Sequence, residues 1–128
     1  MDVLIIGGTQ YFGKVIVRKL LERGDNVTVF SRGNSRPEFW DDVEHINGDR
    51  TDYIGFIQKL KGRHFDAVID NLAFHVEDAM AVEDALGGRT DKYLVASTVS
   101  IYGGPGHALD WAIEGYDRPS WQDEYVDL

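Results

Sequence analysis

The chain has 128 residues, of which 43% are hydrophobic and 27% are charged, a composition typical of one folded domain and unlike that of a disordered segment. It contains no cysteine, which excludes disulfides, thiolate zinc sites and a cysteine nucleophile. Its net charge of −9 disfavours nucleic acid as a partner, and its apolar runs are much shorter than the roughly 18 residues of a membrane span. Because its first residues do not resemble a secretory signal, we expect a cytoplasmic protein with no membrane partner.

Strands and helices are predicted to alternate along the first half of the chain. Residues 3–6 form a short apolar run ended by Gly7 and Gly8, which predicts a strand buried on both faces. A helix follows at 12–23 and is stopped by Gly24. The apolar face of this helix consists of Val15, Ile16, Leu20 and Leu21. The next predicted elements are a strand at 27–30, one helical turn at 38–42 and a weaker strand at 43–46.

The same alternation continues to a fifth strand. A helix capped by Thr51 or Asp52 runs to Leu60. The remaining elements are a strand at 67–70, a helix at 76–86 and a strand at 93–96. We expect the core-facing side of the last helix to contain Val76, Ala79, Met80 and Leu86. We expect its water-facing side to contain Glu77, Asp78, Glu83 and Asp84. Because parallel neighbours need crossover connections, the pattern predicts an α/β fold with a doubly wound parallel sheet of strand order 3-2-1-4-5.

Ligands of an open parallel sheet bind beyond the carboxyl ends of its strands, so five loops are candidates for a site. The first loop covers residues 7–13, with the sequence GGTQYFG, between the first strand and the first helix. Its glycines permit a tight turn and a close backbone approach, and the helix N-terminus offers free amides to a pyrophosphate. A simple strand-to-helix turn is the alternative interpretation.

The second loop, Phe30-Ser31-Arg32-Gly33, lies where the adenosine ribose of a dinucleotide would bind. It lacks the carboxylate that would hold a ribose 2′-hydroxyl. Ser31 and Arg32 instead suit a 2′-phosphate, because a charge-assisted hydrogen bond to it is worth about 1.5–3 kcal/mol. The loop therefore favours NADP, with NAD as the second choice, unless Arg32 is simply a solvated arginine.

The three remaining loops supply further polar groups. In the third loop Asp49 can accept a hydrogen bond from an adenine amino group, or it can serve as a turn residue or helix cap. The fourth loop consists of Asp70, Asn71, Leu72 and Ala73, and Asp70 could equally pair with a loop amide. The fifth loop, at 96–103, places three hydroxyls where a substrate would meet a nicotinamide.

Three segments together resemble the short-chain dehydrogenase/reductase superfamily, in particular its extended and atypical branch of nucleotide-sugar epimerases and dehydratases. They are GGTQYFG at 7–13, GDRTD at 48–52 and YLVASTVSIYG at 93–103. The likeness spans about residues 1–106 and implies a Rossmann-type dinucleotide-binding domain over that range. Residues 107–128 carry six acidic residues and one basic residue, and we expect an irregular acidic tail there.

The resemblance implies roles for individual residues. The pyrophosphate would be held by Gly7, Gly8, Thr9, Gln10, Tyr11, Phe12 and Gly13. Ser31 and Arg32 would bind the ribose end of the adenosine, and Asp49 with Arg50 would bind the adenine. Leu72 and Ala73 would line the nicotinamide side, and Asn71 and Ser97 are assigned to the same cofactor site. Thr98 matches the catalytic Ser/Thr of the family, which hydrogen-bonds the reacting hydroxyl or carbonyl.

Two features depart from the family pattern. The usual middle glycine of the first loop is Gln10, as in atypical members, some of which bind RNA or lack catalysis. No tyrosine is followed four residues later by a lysine, so the YxxxK pair that moves a proton in this family does not occur in the 128 residues. We therefore expect the amino-terminal portion of a longer enzyme, cut before its catalytic helix, remaining strands and substrate domain. A complete short protein that binds cofactor without catalysis is the rival interpretation.

The leading hypothesis is the NADP- or NAD-binding portion of a nucleotide-sugar epimerase, dehydratase or reductase, which moves a hydride between its substrate and a nicotinamide. The expected partners are a small-molecule substrate, a sugar nucleotide by resemblance, and a second copy of the chain. The alternative is a non-catalytic, RNA-associated or cofactor-sensing protein of the same fold. The four histidines lack metal-ligand spacing, so we predict no metal site and interpret them as ordinary surface or loop residues.

Overall fold

A computed structural model describes residues 1–96 of the chain. In chain order its elements are β1 (Asp2–Ile6), α1 (Tyr11–Arg23), β2 (Asn26–Ser31), a 3-10 helix (Trp40–Asp42), β3 (Glu44–Asn47), α2 (Tyr53–Leu60), β4 (Phe65–Asp70), α3 (Val76–Leu86) and β5 (Thr90–Val95). Every predicted element is present, and the largest difference is at β5, which begins at Thr90 rather than at residue 93. Asp52 caps α2 as predicted, because its side chain accepts a hydrogen bond from the Gly55 amide. No helix among these residues is both long and apolar enough to cross a membrane.

Within residues 1–96 the strands form one parallel sheet in the order β3-β2-β1-β4-β5, so the predicted doubly wound fold and strand order are confirmed. The central strand β1 pairs with β2 on one side and with β4 on the other. Its last residue, Ile6, lies opposite Phe30 and Asp70. Parallel strands place their carboxyl ends at one edge, and the chain leaves β1 and β4 toward different neighbours there. That edge is the place to look for a ligand.

Two apolar clusters cover the two faces of the sheet. On one face Leu4 and Ile6 pack with Phe56 and Leu60 of α2 and with the buried side of α3. On the other face Val3 and Ile5 belong to the cluster that contains Val17 of α1. β1 is buried on both faces, which explains its unbroken apolar sequence.

The inward face of α1 differs from the one predicted. Val17 is fully buried, whereas Val15 is 50% exposed. Ile16, Leu20 and Leu21 do pack against the core, as expected. Val15 does not share the buried face, because it is displaced around the helix from the row that Gly13 and Val17 form four residues apart.

The faces of α3 agree only in part with the prediction. Leu86 is buried and Glu77, Glu83 and Asp84 are exposed, as expected, but three other residues lie on the opposite side from the one predicted. Val76 and Met80 are 73% and 51% exposed, whereas Asp78, expected to face water, is 7% exposed. The core instead receives Ala81, Val82, Ala85 and Leu86. The physical reason is capping: the Asp78 carboxylate accepts hydrogen bonds from the amides of Phe74 and His75, both at 3.0 Å. An acid at the third helical position satisfies the amides of the N-cap residue and of the residue before it, and must therefore turn back toward the helix N-terminus.

A buried ion pair connects the ends of three strands. Arg50, which follows β3, donates from Nη2 to Oδ2 of Asp70 at 2.7 Å, and the Tyr93 hydroxyl of β5 donates to the same oxygen at 2.7 Å. Arg50 is 5% exposed and Asp70 is not exposed at all. The guanidinium also bonds the Asp78 carbonyl and lies 4.6 Å from the centre of the Phe56 ring. Burial, together with the bond to Asp70, raises the pKa of Tyr93, so its phenol remains a donor at neutral pH.

Replacing Asp70 tests this ion pair. We expect Asp70→Asn to lower the free energy of unfolding by about 3–5 kcal/mol, because Arg50 would keep its buried charge without a carboxylate to balance it. Urea denaturation followed by circular dichroism measures the loss. The exposed pair between Arg63 and Glu44, at 2.8 Å, provides the control, and Glu44→Gln should change stability by less than about 1 kcal/mol. Equal losses in the two variants would show that burial does not strengthen the Arg50–Asp70 pair.

Candidate functional site

A cleft of about 580 Å³ lies at the carboxyl edge of the sheet. It is bordered by the β1–α1 turn and by the loops that follow β2, β3 and β4. These are the first four of the five loops predicted from the sequence to bind a ligand, and the structure brings them together around one space. Ser97 and Thr98, predicted in the fifth loop, lie outside the described residues.

The β1–α1 turn approaches its surroundings so closely that side chains do not fit at its glycines. Gly7 has a φ of +80°, and a Cβ there would lie 2.7 Å from Leu72. A Cβ at Gly13 would lie 2.6 Å from the Gly7 carbonyl oxygen, and one at Gly8 would lie 2.8 Å from Ile5. These positions therefore need glycine for two separate reasons, backbone conformation at Gly7 and lack of space at all three.

The N-terminus of α1 offers its amides to the cleft. The preceding residue, Gln10, is extended, with a φ of −139°, and its side chain does not cap the helix. The first turn contains no acidic residue. Helix N-termini carry unpaired amides and a partial positive charge, so an uncapped one beside a cleft suits a phosphate group. Gln10 occupies the position where the family usually has a glycine. Its side chain is exposed and is therefore not packed into the turn.

The first residue of α1 has a strained backbone. Tyr11 has a φ of 51°, and no other residue except glycine has a positive φ within residues 1–96. Its side chain is 86% exposed, so packing does not compensate for this conformation. A left-handed conformation at a residue other than glycine costs about 1–2 kcal/mol, and such residues concentrate at ligand sites.

Asn71, at the end of β4, holds the turn in place. Its Nδ2 donates to the carbonyl of Gly7 at 3.3 Å, and its backbone amide donates to the carbonyl of Ile6 at 3.0 Å. The other side-chain atom, Oδ1, is buried without a partner among the described residues. Asn71 thus fixes the turn against β4 and leaves one acceptor unused beside the cleft. Leu72 borders the cleft as predicted for the nicotinamide side, whereas Ala73 is not among its lining residues.

The loops after β2 and β3 contribute charged groups of both signs. Arg32 is exposed, borders the cleft and forms no ion pair within the described part of the chain. Asp49 accepts hydrogen bonds at Oδ1 from the amide and hydroxyl of Thr51, at 2.8 and 2.7 Å. These bonds hold the pKa of Asp49 below its usual range. Asp49 is therefore a turn residue, as one of the two interpretations proposed, and its second oxygen is not used by that turn.

The role predicted for Arg50 needs correction. It was paired with Asp49 as an adenine contact, but its guanidinium is turned inward to Asp70. The sequence signal for this was the isolated Asp70 at the end of a buried strand, because a buried carboxylate requires a partner of opposite charge.

His45 was interpreted as an ordinary histidine, but it contacts a predicted site residue. Its Nε2 lies 2.7 Å from the hydroxyl oxygen of Ser31, and its ring packs against Trp40 with the ring centres 4.2 Å apart and the ring planes tilted by 39°. Burial, and to a smaller extent the charge of Arg36, lowers the pKa of His45. Sequence alone gave no sign of this contact, because it depends on the parallel pairing of β2 with β3.

This architecture is that of a doubly wound α/β domain of the Rossmann type, with a glycine-rich turn at the end of its central strand. A family model, the NAD dependent epimerase/dehydratase family, matches residues 3–120. The chain therefore belongs to that family, as the resemblance seen in its sequence predicted.

Individual relatives are similar over part of their length. The chain is 29% identical over 113 residues to the chloroplast stem-loop binding protein of 41 kDa b from Arabidopsis thaliana, covering 78% of this chain and 30% of that protein. Among solved structures it is similar to a UDP-glucose 4-epimerase with UDP-glucose from Thermotoga maritima, at 18% identity and a TM-score of 0.65, covering 80% of this chain and 40% of the other. A short-chain dehydrogenase/reductase superfamily protein from Agrobacterium tumefaciens with bound NAD gives 20% identity, a TM-score of 0.62 and coverages of 80% and 34%. The chain thus spans less than half the length of these proteins, and the two structures support the fold.

Replacing Tyr11 by glycine tests the strain in the turn. We expect Tyr11→Gly to raise the free energy of unfolding by about 1 kcal/mol, because glycine adopts a positive φ without strain and the tyrosine side chain is largely exposed. The neighbouring substitution Phe12→Gly is the matched control, and it should lower stability by about 0.5–1 kcal/mol, since Phe12 has no positive φ. Thermal unfolding measures both. A loss of stability in both variants would show that Tyr11 is not strained.

Proposed function

We propose that the chain binds a nicotinamide dinucleotide in the cleft at the carboxyl edge of the sheet. The observation that carries the proposal is the β1–α1 turn, where Gly7 and Gly13 leave no room for side chains and α1 begins with uncapped amides. A pyrophosphate would accept hydrogen bonds from these amides. The adenosine would extend toward Ser31 and Asp49, and the nicotinamide toward Asn71 and Leu72. Residues 1–106 would form the binding domain, with an acidic tail over 107–128.

NADP is the cofactor that the loop after β2 favours. Arg32 is the exposed cation at the place where the adenosine ribose would lie, and no carboxylate follows β2 to hold a 2′-hydroxyl. Arg32 forms no ion pair with Asp49 or with any other acid among residues 1–96. Its guanidinium is therefore left to bind a 2′-phosphate, with NAD as the second choice.

The part of the enzymatic reaction assigned to these residues is cofactor binding. A bound nicotinamide would supply hydride transfer to and from a substrate carbon. Asn71 would orient the nicotinamide side of the cleft, with its unused Oδ1 as an acceptor. Thr98 would hydrogen-bond the reacting oxygen, as the family resemblance implies. The whole protein would act as an epimerase, dehydratase or reductase on a sugar nucleotide, a substrate class suggested by the UDP-glucose named with one of the similar structures.

RNA binding is a second candidate function, favoured by the name of the Arabidopsis relative. The basic residues on the exposed surface of α1 would be the natural contact, but each has an acidic neighbour. Arg23 lies 2.6 Å from Asp25, Lys19 lies 3.8 Å from Glu22, and Lys14 and Arg18 share Glu38. Phosphate binding requires free positive charge, so these pairs and the net charge of −9 favour the dinucleotide. Retention of a stem-loop RNA that weakens steeply with added salt would support the RNA function instead.

Replacing Arg32 tests the choice of cofactor. We expect Arg32→Ala to weaken NADPH binding by about ten- to a hundredfold, because a charge-assisted bond to the 2′-phosphate is lost, and to leave NADH binding within about twofold. Nicotinamide fluorescence measures both affinities.

The matched control is Arg63→Ala, an arginine that lines a separate cavity at the amino edge of the sheet and pairs with Glu44. It should leave both affinities unchanged. Equal losses for the two cofactors in Arg32→Ala would contradict the assignment of Arg32 to the 2′-phosphate, and no binding of either cofactor by the folded wild-type chain would contradict the proposed function itself.

A further inference from the structure

The Ser31 hydroxyl borders the cleft and already has two polar neighbours. The amide of Gly33 donates to its oxygen at 3.2 Å, and Nε2 of His45 lies 2.7 Å from the same oxygen. The amide can only donate, so it uses one lone pair of the hydroxyl. The bond to His45 can run in either direction, because an imidazole nitrogen is a donor when protonated and an acceptor when not.

The direction of the bond to His45 decides what Ser31 offers to a ligand. When Nε2 carries a proton, it donates to Ser31, both lone pairs of the hydroxyl are used, and the hydroxyl hydrogen is left to point into the cleft. When Nε2 is bare, the hydroxyl donates to it, and the cleft receives the remaining lone pair. The first state can donate to a phosphate or to a ribose hydroxyl, whereas the second state can only accept, which suits a ribose hydroxyl and not an ionised phosphate.

We propose that His45 is a positioning residue for cofactor choice: a proton on Nε2 turns Ser31 into a donor for the 2′-phosphate of NADP, and a bare Nε2 turns Ser31 into an acceptor for the 2′-hydroxyl of NAD. This proposal rests on the proposed function, because it requires the ribose to lie at Ser31. His45 would thus act in addition to Arg32, as a group behind Ser31 whose protonation changes with pH.

The neighbours of His45 are mostly apolar and aromatic. Its partner across the sheet is Val29, its ring packs against that of Trp40 at an angle of 39°, and Arg36 lies 5.3 Å from the centre of the Trp40 ring. Successive strand residues point to opposite faces, so the neighbouring Glu44 faces away and bonds Thr28 and Arg63.

Three acidic groups lie in the segment before β3, namely Glu38, Asp41 and Asp42, and the last two are exposed residues of the 3-10 helix that begins at Trp40. Glu38 is paired with Lys14 and Arg18 of α1. Burial, and to a smaller extent the charge of Arg36, holds the pKa of His45 below its usual range. The neutral imidazole can leave Nε2 bare, with its proton on Nδ1, whereas the imidazolium that forms as the pH falls carries a proton on both nitrogens, which commits Nε2 to donation.

Calorimetric titration of the 128-residue chain with NADP⁺ and NAD⁺ between about pH 5 and 8 tests the proposal. We compare the ratio of the NAD⁺ to the NADP⁺ dissociation constant in the wild type with the same ratio in His45→Phe, which keeps an aromatic ring beside Trp40. The wild-type ratio should exceed that of His45→Phe by about tenfold at the low end of this pH range and equal it at the high end. The 2′-phosphate also titrates in this range, but it does so equally in both proteins and cancels in the comparison. In the Ser31→Ala background, His45→Phe should have no further effect on the ratio.

His64→Phe, at an exposed histidine on the amino edge of the sheet, is the matched control and should keep the wild-type pH profile. A wild-type profile in His45→Phe would overturn the proposal while leaving the proposed function intact, whereas no binding of either cofactor by wild type would overturn the function. If His45→Phe does not fold, ¹⁵N resonances of the wild-type ring decide the matter. We expect Nε2 to be protonated with NADP⁺ and bare with NAD⁺ at the same pH, and an identical state with both cofactors would overturn the proposal.

Discussion

The β1–α1 turn can lie against the end of β4 only because three of its positions carry no side chain. Gly13 contacts the carbonyl of Gly7, and Gly7 in turn packs against Leu72. The Asn71 side chain then bonds the Gly7 carbonyl and fixes the distance between the two loops. This contact opens the N-terminus of α1 toward the cleft, so the part of the site most suited to a phosphate follows directly from the packing of the fold.

A second constraint acts below the cleft, where Arg50 and Asp70 form their buried ion pair. Asp70 also accepts a hydrogen bond at Oδ1 from the Leu72 amide at 3.0 Å, so one carboxylate connects the loop after β3, the loop after β4 and Tyr93 of β5. The two ends of the cleft are thereby held in a fixed relation. Since unbalanced buried charge is strongly unfavourable, the network tolerates little change. It lies apart from the exposed residues, such as Arg32, that we propose select the ligand.

The fold was largely predictable from sequence, because the apolar runs of β1, β2 and β4 and the glycines that end β1 and α1 are local signals. The residues that α1 and α3 turn toward the core were less predictable from the sequence. The capping role of Asp78 overrides the simple rule that acids face water, and that role depends on amides outside the periodic pattern. The roles of Arg50 and His45 were not predicted correctly either, because their partners, Asp70 and Ser31, come from other strands. Loops at a sheet edge can be located from sequence, but contacts between strands require the register.

The most direct test of a dinucleotide site at this edge is a titration of the ¹⁵N-labelled 128-residue chain with NADPH, followed by its amide resonances. We predict shifts concentrated at the amides of Gly13, Arg32, Asp49 and Asn71, which border the cleft. The amides around Asp25 and Arg63, at the opposite edge, should not move. Shifts at that opposite edge, or none at millimolar NADPH in a folded sample, would contradict the account.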